Sequence, residues 1–592
     1  MRNLGRLDEA IASTALVLMA VIPMIEIISR PFMGKGFENA PLVVQHLGLV
    51  LAMWGAIAAE RHGHLTTLGK MFVQGEKFAH IAAGLVCGVL TWASWKFVSS
   101  EIDSPKELAY GIPVWWLQTT MPLGFALLGA KLSARGQENQ FLKYSFALIW
   151  PLVGISMAAW LDGEVVPLLP CVLILVAALL CGAPIFVVLG GLALALFASE
   201  GLPLASIALS HYQITVNPSL PALPLFTFAG LVFAKTDATK RLGIVFMAFF
   251  GNGVLGTVIA ATVLCSFFTA FTGGSGVTIL ALGGLLLPLL RNTGYPEQRS
   301  ISLVTSASAL GVLLAPSVPL IMYAIIARVP INTMFLAGIV PAVVMVVCLL
   351  IFGGYLRVDT AGKNNAVQTP QLLQAINLAK WEILAPFVAI GSLVSGLATP
   401  TESAALTAAY AVLSQACLHQ ELNWRRAYEC LSQCAQIIGG VMLILGMALG
   451  LTNYLVDAGI PDLAIEWVQG ITQNKYLFLL ALNIFLFVAG ALMEIYAAIV
   501  VLVPLLLPLA MSYGIDPVHF GIIFLANMEM GFLCPPAGMN IFFASAVFKQ
   551  SIRKVAVSVL PALAAIFVGT LIISWLPIVV IGLPQYLGQL PL

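Results

Sequence analysis

"GFLCPPAGMN", residues 531–540, sets two adjacent prolines and two glycines inside an otherwise apolar stretch. A second interruption, "GVLLAPSVPL", occupies 311–320. Proline removes a backbone donor and its ring clashes with the carbonyl one turn back, so each run predicts a broken helix. The chain has 592 residues, of which 60% are hydrophobic and 9% charged, and its mean hydropathy is +1.00. A soluble domain carries about 25% charged residues. Apolar runs of about 20 residues recur from end to end, which predicts an all-α polytopic membrane protein. Backbone groups freed in hydrocarbon are costly unless they line a protein-enclosed cavity. Two breaks at membrane depth therefore point to binding sites. Freed carbonyls are hard oxygen ligands for a cation, and a new helix start favours an anion.

Other classes find little support. A net charge of +1 gives no footprint for nucleic acid. The nine cysteines are scattered along apolar segments without a CxxC or a Cys/His ligand spacing, which reads as inert buried thiols. An intramembrane enzyme would need a nucleophile–base pair or a metal cluster. No Ser/His/Asp set, HExxH or phosphate loop is visible, so neither an enzyme nor a nucleotide is expected. Residues 10–29 contain Pro23 and Glu26, end at Arg30 and lack a small-residue cleavage site, so they read as an uncleaved first span.

The basic residues orient the chain. Arg2 and Arg6, then Arg61, Lys70 and Lys77, then Lys131, Arg135 and Lys143 mark the cytoplasmic side, whereas Glu101, Asp103 and Glu107 mark the outside. Spans are expected at about 10–30, 41–59, 78–99 and 113–130, with one more crossing at 144–161. Two short spans flank a break at 182–184, an outer loop follows at 199–219, and a span at 221–234 returns inside. A glycine-rich hairpin at 253–290, a broken crossing at 300–327 and a crossing at 333–356 complete the first half. After Trp381 the plan recurs. Short spans are broken at Thr399 and Pro400, a crossing leads to Asp457, and a second hairpin lies at 476–512. A broken crossing at 518–547 and a last crossing at 555–580 end the chain. About 15 crossings and two re-entrant hairpins result, with the N-terminus cytoplasmic and the C-terminus periplasmic. Of the 27 Lys and Arg residues, only Arg30, Lys35, Lys96, Lys106, Arg328 and Lys475 escape the cytoplasmic side. Either hairpin as a full crossing would invert every later loop.

"GGLLLPLLRNTG" (283–294) and "VPLLLPLAMSYG" (503–514) share Leu285, Leu286, Leu287, Pro288, Leu289 and Gly294 at an offset of 220. The same offset carries Gly311 onto Gly531 and Pro316 onto Pro536, while Pro184 and Pro400 pair at 216. The expected organisation is therefore a four-helix region at 1–140, a connecting helix at 141–164, a first repeat at 165–356, a cytoplasmic linker at 357–381 and a second repeat at 382–592. Charge places the two repeats in opposite orientations, and inverted repeats with interrupted helices mark secondary transporters.

"LATPTESAALTAAYAVL" (397–413), "GALMEIYAAIVVLVPLLLP" (490–508), "GIDPVHFGIIF" (514–524) and "NMEMGFLCPPAGMNIF" (527–542) resemble the large membrane subunit of tripartite ATP-independent periplasmic (TRAP) transporters. "ERHGHLTT" (60–67) and "MPLGFALLGAKL" (121–132) resemble the small four-helix subunit. The resemblance implies fused small (Q) and large (M) subunits with an elevator-type fold in the bacterial inner membrane. It implies a sodium-driven importer of a small organic anion, such as a C4-dicarboxylate, a sugar acid like sialic acid, or a sulfonate. A periplasmic substrate-binding protein and membrane lipid are the implied partners, and Na+, in two or more copies, is the implied coupling ion. A stand-alone proton- or sodium-coupled carrier without a binding protein is the alternative.

The first ion site is expected where the tip Thr272, Gly273, Gly274, Ser275 and Gly276 faces Ser308, Gly311 and Pro316. The second is expected where Gly490, Met493 and Glu494 face Asn527, Gly531, Cys534, Pro535 and Pro536. Glu494 stands where the family more often has Asp, and the first tip keeps a single serine, Ser275. Substrate is expected between the tips, at Ser275, Thr278, Ser308, Asn527 and Asn540. Glu402 reads as a helix cap, Arg328 as a loop charge, and His62 and His64 as cytoplasmic loop residues. Glu26 reads as an intramembrane acid with a partner to be found, and Glu529 as either a supporting group or a packed acid.

Overall fold

The computed structural model describes residues 7–33, 37–62, 65, 75–135, 137, 139–250, 253–357, 372–396, 398–535 and 538–590. Arg2, Arg6, His64, Lys70 and Pro536 lie outside them, as does most of the linker, 358–371. The described residues are almost wholly helical, with one short hairpin of strands pairing Glu107–Ala109 with Ile112–Pro113.

Twelve described helices are long and apolar enough to cross a membrane, and four of these are the hairpin arms Val254–Thr272, Ser275–Asn292, Lys475–Leu492 and Ile495–Ser512. The remaining expected crossings fall on shorter helices, among them Leu168–Leu180 and Ile185–Ser199 on either side of the break at 182–184. Both interruptions that decided the fold are present. Glu297–Leu310 gives way to a 3-10 turn, Gly311–Leu313, before Val318–Ile326 begins. Pro517–Gly531 ends before Met539–Phe548. The repeat offset holds in three dimensions: Ser275–Asn292 and Ile495–Ser512 have bounds exactly matched in register by the shift of 220.

Two segments differ from expectation. The outer loop 199–219 contains a helix, Ala205–Thr215, and the linker contains another, Leu372–Leu378. In the second repeat the corresponding stretch runs unbroken as Trp424–Asp457. Pro218 and Pro221 separate Ala205–Thr215 from Ala222–Ala234 in the first repeat, and the second has no proline in the equivalent positions.

The chain forms two compact units. One comprises Met1–Pro224, Tyr428–Asp462 and Val500–Leu505, and the other comprises Leu225–Ala427, Leu463–Ile499 and Leu506–Leu592. This division runs across the repeat boundaries, because each repeat contributes helices to both units. Within the first unit the connecting helix Gln140–Leu161 lies against Glu76–Ile102. A Cβ added at Gly88 would overlap the Pro151 carbonyl, and one at Gly154 would overlap the Leu85 carbonyl. Lipid supplies no hydrophobic drive between helices, so such close backbone contact is what holds this pair.

The second unit contains a buried ionic knot. Arg241 pairs with Glu382 at 2.7 Å and with Glu421 at 2.5 Å, and donates to Gln415 Oε1 at 2.8 Å. Glu382 is buried and lies 3.2 Å from His419. Removing one member of a buried pair strands the other charge. Arg241→Met is therefore expected to cost about 3–5 kcal/mol of stability, read as a lowered unfolding midpoint in detergent.

Candidate functional site

The first hairpin turns at Gly273, whose φ of +68° closes the helix Val254–Thr272 in a left-handed cap. Thr269 and Thr272 lie one turn apart on that helix, and Thr278 lies on the returning arm. Thr269 Oγ1 is 2.6 Å from Thr278 Oγ1, 2.9 Å from the Ser308 carbonyl and 3.0 Å from the Cys265 carbonyl. Thr272 Oγ1 is 3.2 Å from Thr278 Oγ1, 3.3 Å from the Gly274 carbonyl and 3.5 Å from the Thr269 carbonyl. All three threonines are buried. Each hydroxyl brings one proton. Three hydroxyl protons and the backbone N–H groups of Gly273 and Thr278 thus face four carbonyls, each with two lone pairs, and the hydroxyl oxygens themselves. A buried cluster with more acceptors than donors suits a hard cation.

Ser308 contributes through its carbonyl, because its own hydroxyl donates to the Val304 carbonyl at 2.7 Å. Gly311 opens the 3-10 turn, and Pro316 precedes the new helix. Gly276 lies beneath the ring of Phe543, with no room for a side chain. Ser275 turns away from the threonines and donates to Asn540 Oδ1 at 2.7 Å. The other end of that amide, Nδ2, is buried without a partner.

The second hairpin approaches its break more closely still. The backbones of Gly490 and Gly531 meet without space for a Cβ on Gly531. Asn527 Nδ2 donates to Asn483 Oδ1 at 2.7 Å and to the Ile523 carbonyl at 2.8 Å, and Ser574 Oγ lies 3.1 Å from the same Asn483 oxygen. Asn527 Oδ1 is buried and unpartnered. At the break, Cys534 N–H donates to the Gly531 carbonyl at 3.0 Å and Gly538 N–H to the Cys534 carbonyl at 2.8 Å. Each of these carbonyls keeps a second lone pair. Pro535 lies in this turn. Met493 closes the first arm, and Glu494 stands at the N-cap of the second without a side-chain cap bond.

The two halves of the site touch. Tyr496 OH donates to the Gly273 carbonyl at 3.1 Å, joining the second hairpin to the first tip. Ser275 and Asn540 join the first tip to the second broken helix. Glu402 forms a capping box with Thr399, as expected of a cap, with Thr399 N–H donating to its carboxylate at 2.8 Å. Arg328 is exposed and Glu26 is buried.

Four residues of this arrangement were not anticipated: Thr269, Asn483, Tyr496 and Ser574. Asn483 carried a signal, since a lone amide in the arm "KYLFLLALNIFLFVAGAL" is expensive in hydrocarbon. Thr269 and Thr272 carried a weaker one in their shared face.

A family model described as "Tripartite ATP-independent periplasmic transporter, DctM component" matches residues 172–579. The DctQ component of the same transporters matches residues 19–134. The connecting helix Gln140–Leu161 falls between the two matches. The isethionate TRAP transporter permease protein DctMQ of Oleidesulfovibrio alaskensis is 30% identical over 83% of this chain and 79% of its own length. The C4-dicarboxylate TRAP transporter large permease protein DctM of Rhodobacter capsulatus is 30% identical over 70% of this chain and 98% of its own. The sialic acid TRAP transporter large permease protein SiaM of Vibrio cholerae is 28% identical over 63% of this chain and 88% of its own.

Proposed function

Because the chain belongs to the tripartite ATP-independent periplasmic transporter family, with both membrane components in one polypeptide, we propose that it is a sodium-driven importer of a small organic acid. It is a multi-pass permease of the bacterial inner membrane rather than an enzyme, and its family works with a periplasmic substrate-binding protein. The relatives named for isethionate, C4-dicarboxylates and sialic acid all handle organic anions, and the same broad class is the substrate proposed here.

The observation that carries the sodium reading is the acceptor excess at Thr269, Thr272, Thr278 and Ser308. Sodium takes neutral hydroxyl and carbonyl oxygens, and the Asn527 oxygen beside the second break offers a second position. An anionic substrate finds the opposite complement in the unpartnered Asn540 Nδ2 and in the helix start at Met539. The sodium gradient then supplies the driving force, and no nucleotide is required. The Ser275–Asn540 and Tyr496–Gly273 hydrogen bonds tie the tips to each other and to the second break, which supports an elevator movement of these segments together. The distribution of Lys and Arg supports a cytoplasmic N-terminus and a periplasmic C-terminus.

The test is uptake into proteoliposomes from binding proteins loaded with labelled succinate, isethionate or sialic acid. Accumulation is expected only with an inward sodium gradient and a binding protein present. Uptake that persists in choline buffer would defeat sodium coupling, and uptake without the binding protein would favour a stand-alone carrier.

A further inference from the structure

The first tip turns on two adjacent glycines, Gly273 and Gly274, at φ of +68° and −148°. Neither has a side chain to fix the direction of its carbonyl, so outside contacts must do so. A Cβ on Gly273 would lie 2.7 Å from a methyl of Val318, so the tip rests on the second half of its own broken crossing. From the other side, Tyr496 OH donates to the Gly273 carbonyl at 3.1 Å. Tyr496 lies in the first turn of the arm Ile495–Ser512, whose N-cap is Glu494. It thus stands within one turn of Met493 and Glu494, at the second candidate cation site. The position 220 residues earlier is Gly276, which the Phe543 ring covers. At that place the first hairpin has no side chain to reach the second tip in return.

The Gly273 carbonyl begins the planar peptide that leads into Gly274. The Gly274 carbonyl accepts from Thr272 Oγ1 at 3.3 Å and from the Thr278 N–H at 3.3 Å, and belongs to the first candidate cation site. Fixing the plane of the first peptide limits how far the second can swing. Ion binding at the second site would order the tip Met493 and Glu494 against Asn527, whose Oδ1 is buried and unpartnered. Tyr496 would carry that order to the Gly273 carbonyl, and so to the oxygens of the first site. A bond between neutral groups suffices, because a glycine pair is torsionally soft. The Ser275–Asn540 bond also reaches the first tip, at 2.7 Å, but it ends on the amide assigned above to substrate. Tyr496 is therefore the link that serves the ions themselves.

Resting on the sodium reading above, we infer that Tyr496 is a positioning residue that couples the two cation sites, so that filling the second sets the first in order. Tyr496→Phe is the decisive variant, because it keeps the ring and removes only the hydroxyl. The readout is binding rather than transport: equilibrium binding of radiolabelled sodium to the purified full chain, with choline chloride holding ionic strength constant. The native isotherm is expected to have a Hill slope above unity. Y496F is expected to bring the slope down to unity and to raise the half-saturating sodium concentration at least about threefold. A native slope in Y496F overturns the inference and leaves the sodium reading intact, even if half-saturation shifts, because a merely structural loss would move affinity alone. A native protein that binds sodium with a slope of unity overturns it as well. A native protein without saturable sodium binding brings down both readings. Should Y496F not purify as a monodisperse protein, Tyr496→Leu decides by the same slope.

Discussion

Valine in place of Gly531 is expected to reduce uptake at least about a hundredfold while leaving the protein in the membrane. The first atoms a Cβ would meet are backbone atoms of Gly490, with Cα and the carbonyl oxygen both at 2.6 Å. Backbone cannot swing aside as a side chain can, so the arm Lys475–Leu492 must separate from the helix Pro517–Gly531. The same two helices hold the Asn483–Asn527 hydrogen bond at 2.7 Å, and a shift of about 1 Å would open it. Overpacking of this kind costs about 1–3 kcal/mol, which a large helical protein survives, whereas a ligand set displaced by that distance loses its geometry. Uptake, size-exclusion behaviour and thermal midpoint of G531V together separate these effects. Near-native uptake by G531V would mean that hairpin and break need not touch for transport.

The breaks and tips were legible because proline and glycine act locally. Closely spaced prolines, Pro316 with Pro319 and Pro535 with Pro536, mark a break where the lone Pro151, Pro288, Pro341 and Pro561 stay inside continuous helices, and Gly273 supplies the left-handed turn that ends the first arm. The repeat was legible because a leucine run with Pro288 and Gly294 recurs at a fixed offset of 220. Partnerships were less so. Ser275 and Asn540 are 265 residues apart, and each was a candidate on its own before the fold joined them. Thr269 was hidden by its ordinary appearance, since a helical threonine commonly bonds the carbonyl four residues back, as this one does to Cys265. Only the returning arm and the broken crossing bring Thr278 and Ser308 against it. Asn483 pairs with Asn527 across 44 residues, a relation that periodicity does not encode. The helix Ala205–Thr215 was missed because an absence of Lys and Arg reports sidedness, not backbone conformation.

Those unforeseen partnerships make Thr278→Val the sharpest test of the first cation site. Valine matches threonine in shape but replaces the hydroxyl with a methyl, and it suits a membrane helix. The oxygen removed is the one that Thr269 approaches at 2.6 Å and Thr272 at 3.2 Å. Loss of one buried polar ligand to a charged group is worth about 1.5–3 kcal/mol, and each 1.4 kcal/mol is about a factor of ten in affinity. The sodium concentration for half-maximal uptake is therefore expected to rise at least about tenfold in T278V. Thr305→Val is the matched control. Thr305 is equally buried on the neighbouring broken crossing, the helix of Ser308, yet its hydroxyl serves only the Ile301 carbonyl, at 2.6 Å. T305V is expected to keep the native sodium dependence, because a helix tolerates the loss of that redundant bond. If both variants shift alike, the response reflects general loosening of the helix pair and the threonine cluster is not a sodium site. If T278V alone shifts, the excess of acceptors over protons at the first tip is what binds the ion.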